Sequence, residues 1–255
     1  MQLETIVDRL DDELRTEDYA DLDASANGLQ VGPDTGDVDH VAFAVDAALE
    51  TIEAAAGTGA DLLVTHHGLS WGGFERITGR TYDRIEALLE NDLGLYVSHL
   101  PLDGDQELGN AAGVGDVLAL EDREPFGSHG PEFIGQRGRV VDPLTIDELE
   151  STLASELDTG DQPIQTLAFG PEEIEHVAIV TGSGVDWLGE AIEAGADVLV
   201  TGEGKQQVYH EAREAGIHVV LAGHYATETF GVRALQDRVD TWGLETTFLE
   251  VPTGL

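Results

Sequence analysis

The sequence predicts an α/β protein of two similar lobes, each with a mainly parallel sheet flanked by helices. The first observation behind this is an internal repeat. Residues 40–68, "HVAFAVDAALETIEAAAGTGADLLVTHHG", align without a gap to residues 176–204, "HVAIVTGSGVDWLGEAIEAGADVLVTGEG", with 11 of 29 positions identical. The second is periodicity: in each copy, short apolar runs alternate with stretches whose apolar residues recur at helical spacing. The third is that the halves stay alike beyond the repeat, each placing a histidine at a strand end with a carboxylate four residues on, His99 with Asp103 and His224 with Glu228. Repeated strand–helix–strand units build parallel sheets whose ligands gather beyond the carboxyl ends of the strands.

Taken in order, "MQLETIVDRLDDEL" reads as an acidic amphipathic helix without the basic start of a signal peptide. "VAFAV" and its counterpart "VAIVT" are short buried strands, and "ALETIEAAAGTG" and "VDWLGEAIEAG" are helices stopped by glycine. A Gly-Ala-Asp turn then leads each copy into a second apolar strand, ending at His66-His67 in one half and Gly202-Glu203 in the other. Further on, "TYDRIEALLENDLG" and "KQQVYHEAREAG" are helices that precede the strands leading to His99 and His224. The lobes are expected at residues 1–125, with His66, His67 and Asp103, and 126–255, with His224 and Glu228.

Composition bounds the function. The 255 residues include 41% apolar residues, enough for a real core, and no apolar run long enough to span a membrane. A soluble cytoplasmic protein is expected. There is no cysteine, so a metal would be held by histidine nitrogen and carboxylate oxygen. Acidic residues number 51 against 12 basic ones, a formal net charge of −39, with Lys205 the only lysine. The acids are spread along the whole chain, which points to life in molar salt, where screening relieves self-repulsion. The same balance argues against nucleic-acid binding, because no basic footprint exists to meet phosphates.

The strand tips bring together His66, His67, His99, Asp103, Glu203, His224 and Glu228. Imidazoles with carboxylates, and no thiolate, suit two divalent ions of the Mn, Fe, Co, Ni or Zn kind. Neighbours on a strand point to opposite faces, so His66 and His67 are expected to serve two ions instead of one. A carboxylate such as Glu228 can bridge, setting the ions about 3.5–4 Å apart. A lone histidine with an acid four residues on is also an ordinary helix-start pair; the recurrence in both halves favours the metal. His40 and His176 open the first strands of the repeats, away from the ligand ends, and read as structural. His129, His210 and His218 fall outside the pattern and read as surface or packing residues.

The motifs "NGLQVG", "VTHHG", "YVSHLPLDGDQELGN", "LVTGEG" and "AGHYATETFGVRAL" resemble, in this order, those of the NIF-three-like dinuclear-metal family, often named GTP cyclohydrolase 1 type 2 homologues. The likeness runs from near residue 25 to the end, in the compact form that lacks an inserted domain. It implies two α/β lobes, two divalent ions in a cleft between them and a homohexameric ring. It also implies the ligands: His66, His67, Asp103, His224 and Glu228, with Glu228 the bridge. His99 is implied to neighbour the site, as a candidate for supporting a ligand or handling a proton; Glu203, at the repeat position of His67, reads as a group that orients water or a ligand or as a solvated acid.

Arg76, Arg80 and Arg84 recur at four-residue spacing just after the histidine pair and read either as holders of an anionic substrate group or as partners of Glu75, Asp83 and Glu86. Trp71, with Gly72 and Gly73, reads as a loop bordering the cleft or as a packed aromatic. The leading functional expectation is a metal-dependent hydrolase of a small molecule, one version being GTP cyclohydrolase-like opening of a purine ring. The competing expectation is a non-catalytic metal-binding protein, whether store, chaperone or regulator.

Overall fold

Each copy of the repeat folds as the strand–helix–strand unit that its pattern predicts. The structure, a computed structural model, describes every residue except Asp34 and Asp161. Its chain forms two compact units, Met1–Leu102 with Val232–Val251, and Asp103–Gly231 with Pro252–Leu255.

The first unit opens with α1 (Leu3–Leu14), whose buried stripe of Leu3, Ile6, Leu10 and Leu14 has the predicted helical spacing. β1 (Gly28–Val31), β2 (His40–Asp46), α2 (Leu49–Thr58), β3 (Leu62–His67), α3 (Arg80–Glu90), β4 (Gly94–Val97) and α4 (Leu100–Gly104) follow, α4 running on into the second unit. β2, β3 and β4 are mutually parallel and buried almost throughout, as strands covered on both faces must be.

The second unit continues with α5 (Asn110–Val117), β5 (Glu121–His129), β6 (Glu132–Leu144), α6 (Ile146–Glu156), β7 (Gln165–Leu167), β8 (Ile174–Ile179), α7 (Leu188–Glu193), β9 (Val198–Thr201), α8 (Val208–Ala215), β10 (His218–Leu221) and α9 (His224–Thr227). Its sheet runs β5-β6-β8-β9-β10-β7, with β8, β9 and β10 parallel and the other three antiparallel to their neighbours. Val198, Val200 and Val220 pack with Leu149 and Leu153 of α6 and Val114 of α5 in its core. Last, α10 (Thr229–Asp240) and β11 (Glu245–Phe248) carry the chain back to the first unit, whose sheet runs β1-β4-β3-β2-β11.

The repeated Gly-Ala-Asp has a physical reason. Gly59 and Gly195 take φ of 78° and 73° at the helix ends, a region that costs other residues strain. Asp61 then accepts the backbone N–H groups of Asp39 (2.9 Å) and His40 (3.1 Å), and Asp197 those of Glu175 (2.9 Å) and His176 (2.8 Å). The same carboxylate thus pins the start of the neighbouring strand in both units.

Three features depart from the expectation. The chain leaves the first unit at Leu102, not near residue 125, so Asp103 lies in the second unit. Residues 232–251 return to the first unit because β11 pairs with β2 from Glu245↔His40 to Phe248↔Phe43. The β5–β6 hairpin was not foreseen, since "EDREPFGSH" is largely exposed and shows no clean alternation. His40 has the structural role expected of it, its Nε2 meeting Thr247 Oγ1 at 2.9 Å, and His218, expected at the surface or in packing, is buried, its Nε2 donating to Pro171 O at 2.8 Å.

Candidate metal centre

In the first unit β3 ends on His66 and His67, and β4 leads through Ser98 to His99. Although adjacent residues of a strand alternate faces, the two rings at this strand end lie with centroids 4.7 Å apart, and His99 stands 5.1 and 5.6 Å from them. One ring nitrogen of each histidine lies within 4.8 Å of those of the other two.

Each ring is held through Nδ1. His66 Nδ1 donates to Ser98 O at 2.9 Å, His67 Nδ1 to Asp46 Oδ1 at 2.9 Å, and His99 Nδ1 to Asp23 at 3.0 and 3.1 Å. A carbonyl or carboxylate at Nδ1 fixes the proton there and makes Nε2 the lone-pair nitrogen, the arrangement usual for metal-binding imidazoles. The donor set therefore fits a divalent ion. Asp23 also accepts from Asn27 Nδ2 and from the N–H groups of Ser25 and Leu100, at 2.9, 2.9 and 3.0 Å. Burial would raise its carboxyl, but these bonds and the His99 ring prevail and lower its pKa to about 2. Gly68 must be small, because a Cβ there would strike the Gln30 amide and Val97. Gln30 Oε1 in turn accepts Leu69 N at 2.9 Å, so the strand stops after the histidines where this amide crosses it.

In the second unit His224 opens α9 after β10, and Glu228 lies one turn on. His224 Nδ1 meets Glu203 Oε1 at 3.0 Å and Nε2 meets Glu228 Oε1 at 3.1 Å. Burial opposes charge on this ring, yet the hydrogen bonds and charges of Glu228 and then Glu203 raise its pKa to about 9. Glu203 is held below the usual carboxylate range, first by the Ser183 hydroxyl. Glu228 is only 3% exposed. Asp103, also buried, accepts from Asn110 Nδ2 at 2.9 Å and from Thr181 Oγ1 at 3.4 Å. Beside Thr181, Gly182 has φ 57°, and a Cβ on it would collide with Glu228 Oε1 and lie 3.1 Å from His224 Nε2. This cradle keeps the space around a carboxylate and an imidazole open.

The residues expected at the site thus fall into two groups: three imidazoles in the first unit, and His224 between Glu203 and Glu228, with Asp103 on Thr181, in the second. His99, expected as a neighbour, supplies the third imidazole. Glu203, expected to orient water or a ligand, grips His224. Sequence reasoning missed Asp23, Asp46, Asn110 and Gly182. Asp46 was within reach, since it ends β2 directly opposite His67, at the carboxyl end where ligands gather. Among the described residues no helix is long and apolar enough to cross a membrane.

Residues 1–254 match the family model described as Duf34/NIF3 (NGG1p interacting factor 3). The chain belongs to this family. The match begins at residue 1, so the likeness includes α1 as well as the part from residue 25 onward. A GTP cyclohydrolase 1 type 2 homolog of Halobacterium salinarum is 58% identical over the whole of both chains, and one of Archaeoglobus fulgidus 41%. Among solved structures, the protein TTHA1606 from Thermus thermophilus superposes with a TM-score of 0.90 at 36% identity, covering all of both chains. Reduced HcgD from Methanocaldococcus jannaschii does so at 0.84 and 25%, covering 98% of each. The NIF3 family and its two-lobe α/β fold are therefore those of this chain.

Proposed function

We propose that the protein is a metal-dependent hydrolase of a small molecule that holds two divalent ions, of the Mn, Fe, Co, Ni or Zn kind, on His66, His67, Asp103, His224 and Glu228. The observation that supports this most is that His66 and His67 both have Nδ1 on a fixed acceptor while a ring nitrogen of each lies within 4.8 Å of the other's and of that of His99, which Asp23 holds beside them. Bound ions would polarise a substrate oxygen and make water acidic enough to attack at neutral pH.

The chain's own residues supply the rest. Ser98 O and Asp46 fix the rings of His66 and His67 through Nδ1, so that Nε2 is the atom each would offer a metal. Asp23, ionised above about pH 2, holds His99 with Nε2 as its basic atom, so His99 takes a proton from attacking water and returns it to the leaving group. Glu228 would help to hold both ions, and Glu203 fixes the His224 ring. Opening of a purine ring, in keeping with the name borne by the relatives, is the finer version of this reading. The homohexameric ring and the cytoplasmic location are part of the same proposal.

The test is metal content per subunit, by mass spectrometry on protein purified in high salt without chelator, with Glu228→Gln alongside. About two ions in the native chain, a clear loss in the variant, slow release to chelator and turnover of a small substrate are expected. Fast release without turnover would replace the hydrolase with a metal carrier, and no metal after addition of Mn, Zn or Fe would end the reading.

A further inference from the structure

In a chain with 51 acidic residues, an arginine is expected to find a carboxylate, and most of the basic residues do. Lys205 and six arginines are ion-paired, among them Arg123 on Asp116 at 2.6 Å and Arg233 on Glu250 at 2.8 Å, while Arg9 lies over Trp242. Among the described residues only Arg76, Arg80, Arg84 and Arg213 have neither kind of partner. Three of these four fall within nine residues of one another, on the segment that leaves the histidine cluster.

That segment starts at Trp71, whose ring stands edge-on to His99 at 5.0 Å and 6.0 Å from His67. Gly72 N bonds Ala24 O at 2.6 Å, rooting it beside Asp23. Every residue from Trp71 to Arg80 is then exposed, including Trp71, Phe74 and Ile77 at 46%, 43% and 48%. The acids nearest in sequence do not neutralise the arginines: Glu86 accepts the Tyr82 hydroxyl at 2.5 Å, and no ion pair joins Glu75 or Asp83 to them. Arg80 and Arg84 sit one turn apart on α3, a spacing at which like charges repel. Five residues of chain hold Arg76 within about 17 Å of Trp71. Cations left without partners amid surplus acid, on the segment that runs from an exposed indole at the histidine cluster into the start of α3, are a site prepared for an outside anion.

We propose that residues 71–84 form the gripping arm for the substrate, a molecule that joins a planar ring to a phosphate-class oxyanion. Trp71 offers the ring a stacking face, and the guanidinium groups of Arg76, Arg80 and Arg84 take the oxyanion by charge-assisted, bidentate hydrogen bonds. The proposal rests on reading His66, His67 and His99 as the neighbouring reaction site and assigns the residues that hold the substrate of that site.

The test is equilibrium dialysis of the full chain, in the lowest KCl at which circular dichroism shows it folded, with three probes: guanosine triphosphate, guanosine and inorganic triphosphate. Metal-stripped protein is used, so that ions do not hold the phosphates. Arg76→Gln and Arg80→Gln are each expected to weaken guanosine triphosphate and triphosphate about tenfold and leave guanosine unchanged. Arg80→Lys is expected to recover part of the loss, and Trp71→Ala to weaken guanosine and guanosine triphosphate but not triphosphate. Wild-type protein that binds neither triphosphate nor guanosine triphosphate, or arginine variants that bind as wild type does, would overturn the arm. Arginine variants that change the sedimentation of the assembly with anion binding unmoved would assign the face to a second copy instead. Metal content measured on unstripped samples separates the two readings: native metal without arginine-dependent binding removes the arm alone, and missing metal removes the hydrolase while dialysis still judges the arm.

Discussion

Replacing Gly182 by alanine tests the cradle in the second unit most directly. At φ 57° an alanine pays left-handed strain of about 1–2 kcal/mol. Its Cβ would also press on Glu228 Oε1, which His224 Nε2 holds at 3.1 Å, so the carboxylate would have to leave its place. Gly195→Ala is the matched control: its φ is 73° and a Cβ there meets nothing within 4 Å. Gly195→Ala should therefore lose only the strain, about 2–6 °C in Tm for a chain of this size, by calorimetry in molar KCl, and Gly182→Ala more, because it also displaces a buried carboxylate. Only Gly182→Ala should also lose metal affinity, by about 10-fold or more, as displaced supports of metal ligands do. Metal titration of the two variants after chelator treatment reads the difference. Equal metal affinity in Gly182→Ala and Gly195→Ala would show that the cradle has no part in metal binding.

Asp23→Asn should cost about 2 kcal/mol at pH 6, from a carboxyl lowered from 3.8 to about 2. A depressed carboxyl stabilises above its unfolded pKa and ceases to as pH falls through the folded one, so urea curves of variant and wild type should converge between pH 3.8 and 2; a constant gap would disprove this. His224, raised from 6.5 to about 9, stabilises the metal-free protein fully below pH 6.5 and loses that contribution as pH rises through 9. A metal must displace this proton, so affinity measured in competition with chelator should climb from pH 6.5 to 9, and a flat profile would count against His224 as a ligand. Lowering KCl below about 0.5 M should reduce Tm and loosen any assembly, since the Debye length grows and the −39 charge is less screened; an unchanged Tm and sedimentation profile in dilute buffer would oppose the reading of salt adaptation.

The repeat, the parallel strands and the position of the histidine pair were legible in the amino-acid order alone. These are local or periodic properties: burial on both faces shows as a continuous apolar run, helix ends show as glycines, and a strand tip is simply where the run stops. The Gly-Ala-Asp turns were legible for the same reason, although that Asp61 and Asp197 pin neighbouring strands was not. The tertiary structure decided what long-range contacts decide. His99 meets Asp23 across 76 residues and His67 meets Asp46 across 21, and no periodicity encodes such pairings. Gly182 resembles any glycine of "TGSG" until Glu228 is found against it. Asp103 was assigned to the wrong unit because unit boundaries follow where strands pair: β11, at the far end of the chain, adds to β2, while the residues after Leu102 join the sheet of the second unit.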